Sequence, residues 1–359
     1  MLKYFLIGIV LAIHIFVVAI FWFGDTLSLA PGDDTSMAEE EQAVPEMRAD
    51  GSAPAVPDSL AAMGASARNI SATTLPNYSE QYFGRKNLSL PAAILKKASN
   101  CQAAAVFVVE SHTMLWGKNV ETAYPIASLT KMMTTLLLMD EIHQGQRGIT
   151  LETPVRVTKN ATRIGTRQVW LDPRETFTID ELLKSILIRS ANDCAYLLGE
   201  FLAEGSHDEF VKRMNARGKQ LGCRKFMFYN AHGLPFGKKD LENQGCILEL
   251  AYLAERLWQY PEVMKWTATR QEFIRENTKK PFQLDTTNRL LRSCPGVNGM
   301  KTGMTDQAGY CLVATCERQQ GRVIAIVMGV KGRGGDKIRD EIARQLIEWA
   351  YSSQFGAIQ

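Results

Sequence analysis

Gly309-Tyr310-Cys311-Leu312-Val313-Ala314-Thr315 and Val323-Ile324-Ala325-Ile326-Val327-Met328 carry the clearest β-strand pattern in this chain. Both stretches are short, rich in β-branched residues and free of charge, which predicts two buried strands near the C-terminus. Ala103-Ala104-Ala105-Val106-Phe107-Val108-Val109-Glu110 has the same character, and Thr113-Met114-Leu115-Trp116 is its predicted hairpin partner. Strands are therefore expected at both ends of the folded part.

The segment between these strands is predicted to be mainly helical. Thr178 starts one helix as its N-cap, with Glu181 three residues later as in a capping box. Residues 195–203 and 208–221 have helical patterns, and an amphipathic helix is predicted over 336–351. This order predicts an α/β fold of the α+β type, in which an antiparallel sheet is built from both ends of the chain and a helical lobe is inserted.

The N-terminus carries a long apolar run. From Tyr4 to Phe23 only His14 is polar, which is long enough for a membrane-spanning helix of about 20 residues. Residues 1–24 are therefore predicted to be a transmembrane anchor or a signal segment. Ser28-Leu29-Ala30 offers a small-x-small cleavage site, so a cleaved signal peptide and secretion are the alternative. Lys3 favours a cytoplasmic N-terminus, with the rest of the chain on the outer side of the membrane.

Two further regions follow the apolar run. Residues 25–90 are rich in Ala, Ser, Pro and acidic residues and have no long apolar run, which predicts a disordered acidic linker. Residues 91–359 are predicted to be the folded domain. The net charge of the 359-residue chain is only +3, so its charge gives no reason to expect a nucleic-acid partner.

The seven cysteines show no Cys-x-x-Cys pair and no histidines at metal spacing. They are interpreted as small buried hydrophobic residues, with one or two disulfides as the alternative. The pairing of such disulfides does not follow from the sequence. The cysteines are Cys101, Cys194, Cys223, Cys246, Cys294, Cys311 and Cys316.

The stretch Pro125-Ile126-Ala127-Ser128-Leu129-Thr130-Lys131 contains a candidate nucleophile and its base. A serine hydroxyl needs an adjacent base to take its proton during attack. Residues three apart share one helix face, so the amine of Lys131 can reach Ser128. The apolar run after Lys131 is expected to bury its amine, which disfavours the ammonium form. Ser-x-x-Lys alone is a weak signal, because it occurs often by chance.

Two later elements strengthen this signal. Ser190-Ala191-Asn192 lies in a predicted turn between helices, and Lys301-Thr302-Gly303 lies just before the strand at Gly309. Ser190 is predicted to relay a proton to the leaving amine. Lys301 is predicted to keep the local potential positive, and Asn192 to hydrogen-bond a peptide group of the substrate.

The edge of the Lys301-Thr302-Gly303 strand is predicted to bind substrate. Gly303 has no side chain, which lets a peptide approach closely and add as an extra strand. Thr302 and Met304 belong to the same edge. The backbone N–H groups of Ser128 and Met304 are the expected donors to an oxyanion.

Each of these residues also has a purely structural alternative. Ser190 would cap a helix, Asn192 would shape a turn, and Lys301 would be a solvated strand residue. His232, in Asn230-Ala231-His232-Gly233-Leu234, is predicted to be a loop or supporting residue and not a catalyst.

In this order the three elements resemble the Ser-x-x-Lys, Ser-x-Asn and Lys-Thr-Gly set of penicillin-interacting serine enzymes. From about residue 90 to 351 the chain is similar to the low-molecular-mass D-alanyl-D-alanine carboxypeptidases of serine peptidase family S11. Further stretches that carry the similarity are Arg189-Ser190-Ala191-Asn192-Asp193, Asn230-Ala231-His232-Gly233-Leu234, Thr287-Asn288-Arg289-Leu290-Leu291, Gly299-Met300-Lys301-Thr302-Gly303 and Ala308-Gly309-Tyr310.

The resemblance implies a β-lactamase/transpeptidase-like fold and an acyl-enzyme on Ser128. The implied reaction is hydrolysis of the terminal D-Ala-D-Ala bond of peptidoglycan stem peptides, with β-lactams as acylating inhibitors and no metal or other cofactor. Arg339, ten residues before Trp349, is implied to assist the terminal carboxylate of the substrate. A charge on the helix surface is the alternative for Arg339.

Other activities stay open. An endopeptidase of the same family that cuts the D-Ala-meso-diaminopimelate cross-link would share every motif. A serine β-lactamase is another alternative, although no Glu-x-x-Leu-Asn stretch lies between Ser190 and Lys301. A tethered protein that only binds peptidoglycan is opposed by the complete set of acyl-transfer residues. Many relatives carry a C-terminal membrane helix, and the N-terminal segment is expected to replace it here. Many also have a polar or aromatic residue at the position of Met304.

Overall fold

The computed structural model describes residues 75–354 apart from Gln146. The predicted anchor or signal segment over 1–24 and residues 25–74 of the predicted linker lie outside this range. Within it, every helix is too short or too polar to cross a membrane.

A six-stranded sheet forms the centre of the domain, in the order β1-β3-β2-β12-β11-β10. Its strands are β1 (Gly84–Arg85), β2 (Ala103–Val108), β3 (Thr113–Lys118), β10 (Val297–Thr305), β11 (Gly309–Arg318) and β12 (Gly321–Val330). Three two-stranded ribbons pair β4 (Tyr124–Pro125) with β7 (Gln244–Gly245), β5 (Pro154–Arg156) with β6 (Thr176–Thr178), and β8 (Gln271–Ile274) with β9 (Phe282–Asp285).

The prediction of a sheet built from both ends of the chain is confirmed. β12 from the C-terminal part pairs antiparallel with β2 from the N-terminal part, and β11 and β10 extend the sheet on that side. The exception is β1, which pairs with β3 in parallel. β10 lies at the opposite edge, so one side of this strand has no strand neighbour among the described residues.

The helices between β3 and β10 form the inserted lobe. They are α2 (Lys131–Gln144), α3 (Ile179–Lys184), α4 (Asn192–Leu202), α5 (His207–Gln220), α6 (Ile247–Trp258), α7 (Pro261–Ala268) and α8 (Leu290–Ser293). Two more helices lie outside the lobe in sequence: α1 (Ala92–Ala98) precedes it and α9 (Gly335–Gln354) follows it. The predicted capping box is confirmed, because the Thr178 side chain accepts from the N–H of Glu181 and the Glu181 carboxylate accepts from the N–H of Thr178.

Alternation along β2 divides the core in two. Ala103, Ala105 and Phe107 join the larger cluster that includes α2 and α6. Ala104 and Val106 join a second cluster that includes α9. Successive strand residues point to opposite faces, so a fully apolar strand is buried between two layers of helices. α2 is the central helix of the lobe, since all its residues from 131 to 139 are buried.

Ordered contacts also occur before Pro91, where composition placed the domain boundary. The N–H of Tyr78 donates to the carbonyl of Leu221 at 2.8 Å, and the ring of Phe83 is buried. The edge of the Tyr82 ring packs on Tyr252 with centroids 4.9 Å apart. Because these few aromatic residues lie in an otherwise polar segment, composition alone does not show where the folded domain begins.

All seven cysteines are buried, free thiols. This agrees with their interpretation as small hydrophobic residues and not with the alternative of one or two disulfides.

Candidate active site

Ser128 lies in a short 3-10 helix, Ala127–Thr130, that leads directly into α2. The single helix predicted for Ser128 and Lys131 is therefore two consecutive elements. A 3-10 turn aligns residues three apart even more closely than an α-helix does. The Nζ atom of Lys131 lies 2.9 Å from the Oγ atom of Ser128, so the predicted pair is brought together.

The amine of Lys131 is completely buried. Besides Ser128 it donates to Oδ1 of Asn192 at 2.7 Å and to the backbone carbonyl of His232 at 2.5 Å. The pKa of Lys131 is lowered to about 7, mainly by burial and then by the positive charge of Arg167, while the negative charge of Asp193 opposes the shift. A large fraction of this lysine is therefore neutral near pH 7 and able to accept a proton.

Ser190 and Lys301 form a second serine–lysine pair. Ser190 follows a π-helical turn, Ser185–Arg189, in the left-handed conformation with φ of 67°. The Nζ atom of Lys301 lies 2.8 Å from its Oγ atom. Lys301 is buried, so the alternative of a solvated strand residue is wrong. Ala191 is the N-cap of α4 and no side chain caps that helix, so the capping alternative for Ser190 is also wrong.

The pKa of Lys301 is held well below its usual range. Burial is the main cause, followed by the positive charges of Lys131, Arg167 and Arg339. Two buried amines near each other disfavour double protonation. The site thus combines a neutral base with a strong positive potential from its arginines.

Asn192 connects Lys131 to the segment 164–171, which has no regular secondary structure. Its Nδ2 atom donates to the carbonyl of Gly165 at 3.1 Å and to Oγ1 of Thr166 at 2.7 Å. Its backbone N–H donates to the carbonyl of Arg167 at 2.7 Å. No sequence motif marks this segment, and only its contacts with Asn192 place it in the site.

β10 passes close to the Ser128 turn. A Cβ atom at Gly303 would lie 3.0 Å from the carbonyl oxygen of Ile126 and 3.2 Å from the backbone nitrogen of Ser128. Only glycine fits this approach without displacing backbone. Oγ1 of Thr302 shares a 2.6 Å hydrogen bond with Oγ1 of Thr287, and the side chain of Met304 is 52% exposed at the sheet edge.

Arg339 is buried and not a surface charge, so the alternative interpretation is wrong. Its guanidinium donates to Oδ1 of Asp340 at 2.9 Å and 2.6 Å, and to the carbonyl of Cys311 at 3.4 Å. Cys311 is the register partner of Gly303. Arg339 therefore lies beside β11, and its positive charge acts on Lys301.

His232 contacts the site through its backbone. The carbonyl receives the Lys131 amine, while Nδ1 of the ring accepts from the N–H of Leu234 at 3.2 Å. Burial, Lys131 and His207 hold the pKa of His232 well below its usual range, so the ring stays neutral. This geometry agrees with the prediction of a supporting loop residue.

The arrangement has the parts required for covalent acyl transfer. A hydroxyl beside a neutral amine can act as nucleophile, and a second hydroxyl beside a second amine can pass a proton to a leaving group. In the part of the chain that the structure describes, no group of three or more His, Cys, Asp or Glu side chains is arranged to hold a metal ion.

Comparisons with known proteins agree with this chemistry. The family model of D-alanyl-D-alanine carboxypeptidase, peptidase family S11, matches residues 92–332. D-alanyl-D-alanine carboxypeptidase DacF of Bacillus subtilis is 35% identical over 255 residues, which cover 71% of this chain and 63% of DacF. A D-alanyl-D-alanine endopeptidase of Pseudomonas aeruginosa is 26% identical over 251 residues, covering 68% of this chain and 76% of that protein.

The crystal structure of penicillin-binding protein D2 from Listeria monocytogenes, in its ampicillin-bound form, superimposes with a TM-score of 0.60 at 30% identity. The match covers 69% of this chain and 96% of that one. The predicted β-lactamase/transpeptidase-like fold is thereby confirmed. Because the family model matches residues 92–332, which include both serine–lysine pairs, the chain belongs to the D-alanyl-D-alanine carboxypeptidase family, S11.

Proposed function

We propose that this protein is a serine-type D-alanyl-D-alanine carboxypeptidase that removes the terminal D-alanine from peptidoglycan stem pentapeptides. One observation carries the proposal: the amine of Lys131 lies 2.9 Å from Oγ of Ser128 and has its pKa lowered to about 7. This pair supplies the activated nucleophile that hydrolysis of an unstrained amide requires.

The reaction begins when Ser128 attacks the carbonyl carbon of the scissile bond. The hydroxyl proton passes to Lys131, and the backbone N–H groups of Ser128 and Met304 stabilise the oxyanion. Ser190, held by Lys301, passes a proton to the nitrogen of the departing D-alanine and takes the Ser128 proton from Lys131, so that both residues return to their starting states. A water molecule then attacks the acyl-enzyme, and Lys131 accepts a proton from that water and returns it to Oγ of Ser128. Cleavage releases the shortened peptide and regenerates Ser128.

Substrate binding is assigned to the open edge of β10. The peptide backbone adds beside Thr302 and Gly303, where the absent side chain leaves room. Arg339 supplies positive charge near Lys301 for the terminal carboxylate, and Asn192 faces the peptide from the opposite side. A β-lactam presents its own carbonyl and carboxylate to the same groups, and we expect it to acylate Ser128.

Location follows from the sequence. Residues 1–24 anchor the protein in the cytoplasmic membrane of a bacterium, or direct its secretion if they are cleaved. The residues from 25 up to the ordered contacts at Tyr78 serve as a linker, and the catalytic domain that follows works on the extracytoplasmic side, where peptidoglycan lies.

D-alanine release from a stem pentapeptide tests the proposal, with Ser128→Ala as the matched control. The wild-type protein should release D-alanine and form a labelled adduct with a fluorescent penicillin. The variant should do neither, while its thermal unfolding stays the same. A folded wild-type protein that releases no D-alanine, or a variant that still does, would contradict the proposal.

Cross-linked muropeptide dimers belong in the same assay, because the endopeptidase among the relatives makes cross-link cleavage the second candidate activity. Conversion of dimers to monomers at a rate above D-alanine release would favour that activity.

A further inference from the structure

Trp170 has the most exposed large hydrophobic side chain in the part of the chain that the structure describes, at 61%. Its backbone is nevertheless fixed on both sides by buried charged residues. Oδ2 of Asp193 accepts from the N–H of Val169 at 3.1 Å and from that of Leu171 at 3.4 Å. The guanidinium of Arg275 donates to the carbonyl of Val169 at 2.9 Å and to that of Trp170 at 3.1 Å. The exposed ring is therefore attached to a rigid backbone.

The backbone of Trp170 adopts a conformation that a bulky residue rarely takes. Its φ angle is 53°, in the left-handed region. The surrounding bonds hold it there, and Arg275 is itself fixed by an ion pair with Glu175 at 2.8 Å. Such a conformation persists only where the surrounding structure imposes it, and it is found mainly at functional sites. Together with the exposure of the ring, this indicates that Trp170 is presented for contact with a ligand.

Phe282 and Arg189 lie beside the Trp170 ring. The centroid of the Phe282 ring is 5.5 Å from that of Trp170, with an angle of 69° between the rings. The Arg189 guanidinium lies 5.9 Å from the Trp170 centroid and 5.1 Å from the Phe282 centroid. Nε of Arg189 also donates to the carbonyl of Gln168 at 3.1 Å. We call the side chains of Trp170, Phe282 and Arg189 the aromatic platform.

A groove of about 340 Å³ adjoins the aromatic platform, which is the size of a small-molecule site. Its lining combines apolar rings with charged side chains: Trp170, Pro281 and Phe282 on the one hand, Asp172, Arg275 and Lys280 on the other. A purely apolar partner would have to desolvate these charges, which costs free energy. A sugar ring offers C–H groups to an aromatic face and hydroxyl groups to charged side chains, so it matches both parts of the lining.

The aromatic platform lies within reach of the catalytic centre. Oδ1 of Asn192 is 2.7 Å from Nζ of Lys131, and the backbone N–H of Asn192 donates to the carbonyl of Arg167 at 2.7 Å. The three residues from Arg167 to Trp170 span at most about 11 Å. The four residues of a stem pentapeptide that precede the scissile bond span about 14 Å when extended. A sugar joined to the amino end of a bound stem peptide can therefore reach the Trp170 ring.

We propose that the aromatic platform binds a sugar ring of the glycan strand to which the stem peptide is attached. The inference rests on the proposed function and deepens it by naming the substrate class: stem peptides still joined to N-acetylated hexosamines, preferred over free peptides. Trp170 supplies the stacking face, and Arg189 and Lys280 are the nearest donors to the sugar hydroxyl and acetamido oxygens.

The test compares D-alanine release from a free pentapeptide and from the same pentapeptide joined to its disaccharide. kcat/KM is measured for the wild type, Trp170→Ala, Trp170→Phe and the matched control Phe273→Ala. Phe273 is a 39% exposed aromatic residue on β8, the strand that pairs with β9, and it does not line the groove. We expect the wild type and the control to prefer the sugar-linked substrate by about tenfold, a typical gain from one stacked ring. Trp170→Ala should abolish this preference, and Trp170→Phe should keep most of it.

Fluorine NMR measures sugar binding separately from catalysis. The full-length protein is labelled with fluorotryptophan, and among its six tryptophans the Trp170 line is the one that disappears in Trp170→Phe. Tetra-N-acetylchitotetraose, a sugar chain without peptide, should shift this line as its concentration rises.

The two readouts distinguish failure of the inference from failure of the proposed function. If neither substrate releases D-alanine but the sugar shifts the Trp170 line, the proposed function fails and the sugar site stands. If the wild type releases D-alanine equally from both substrates, or Trp170→Ala keeps the preference, the inference is overturned and the carboxypeptidase activity stands. A Trp170 line that moves with protein concentration and not with sugar would show that a second copy of the chain covers the ring, which would also overturn the inference.

Discussion

The Nζ atom of Lys301 lies 2.8 Å from Oγ of Ser190, a spacing that repeats the 2.9 Å contact between Lys131 and Ser128. The two pairs come from different parts of the fold, yet each places a buried amine against a hydroxyl. The charge of Lys131 lowers the pKa of Lys301, so protonation of one amine disfavours protonation of the other. One pair can then accept a proton while the other donates one.

Acylation by a penicillin should depend on pH through the pKa of Lys131, which is about 7. Only the neutral amine accepts the Ser128 proton, so protonation of Lys131 stops the reaction as pH falls. Below about pH 7 the acylation rate constant should fall about tenfold per pH unit, and above it the rate should level off. Quenched-flow labelling from about pH 5 to 9 measures the profile, and thermal unfolding over the same range checks that the domain stays folded. A flat profile, or a rate that falls as pH rises through 7, would show that Lys131 is not the base.

Replacing Ser190 by alanine should slow acylation by about 100-fold or more, which is the usual range for loss of a positioned proton donor. Lys301 also loses its hydroxyl partner, so the second pair is dismantled while Lys131 and Ser128 remain. Ser185→Ala is the matched control, because its hydroxyl donates to the carbonyl of Glu181 on the same helical segment. If Ser190→Ala and Ser185→Ala acylate at similar rates, Ser190 has no part in proton transfer.

Much of this site could be predicted from local sequence. The contact predicted from the Ser-x-x-Lys spacing is present in the structure, because a 3-10 turn and an α-helix both align residues three apart. The buried strand β2 and the capping box at Thr178 depend on neighbouring residues alone, so both were predicted correctly. Pattern reasoning works where short-range geometry determines the structure.

The features of the site that were not predicted depend on contacts between residues far apart in sequence. The charge of Arg167 acts on both lysines, and Asn192 binds the backbone carbonyl of Arg167; no local pattern encodes either relationship. The left-handed conformation of Ser190 follows a π-helical turn that periodicity does not distinguish from an α-helix. Burial of Arg339 likewise depends on β11, more than twenty residues before it in sequence.

Gly303→Ala should slow acylation by at least about tenfold, because the new methyl group would press on the Ile126 carbonyl and the Ser128 nitrogen. A displacement of the Ser128 turn by a few tenths of an ångström misaligns the nucleophile and its oxyanion donor. Gly165→Ala is the control, since a Cβ atom there meets nothing within 4 Å. Acylation rates and melting temperatures of both variants are measured together. Equal acylation by the two variants would mean that close approach of β10 is not required.

In the loop 230–234, we expect the backbone carbonyl of His232 to support acylation and its imidazole ring to be dispensable. His232 presents a carbonyl to Lys131, while Oδ1 of Asn230 accepts from the N–H groups of His232 and Gly233 at 3.1 Å and 2.6 Å. His232→Asn keeps the carbonyl and an acceptor near the Nδ1 position, so its acylation rate should stay within about threefold of the wild type. In Asn230→Ala the buried N–H groups of His232 and Gly233 lose their acceptor, so we expect the unfolding free energy to fall by about 1–3 kcal/mol. Acylation should also slow, because the loop no longer holds the His232 carbonyl in place. Denaturant unfolding and penicillin labelling measure both effects. A large loss of acylation in His232→Asn with unchanged stability would instead make the ring a participant in the chemistry.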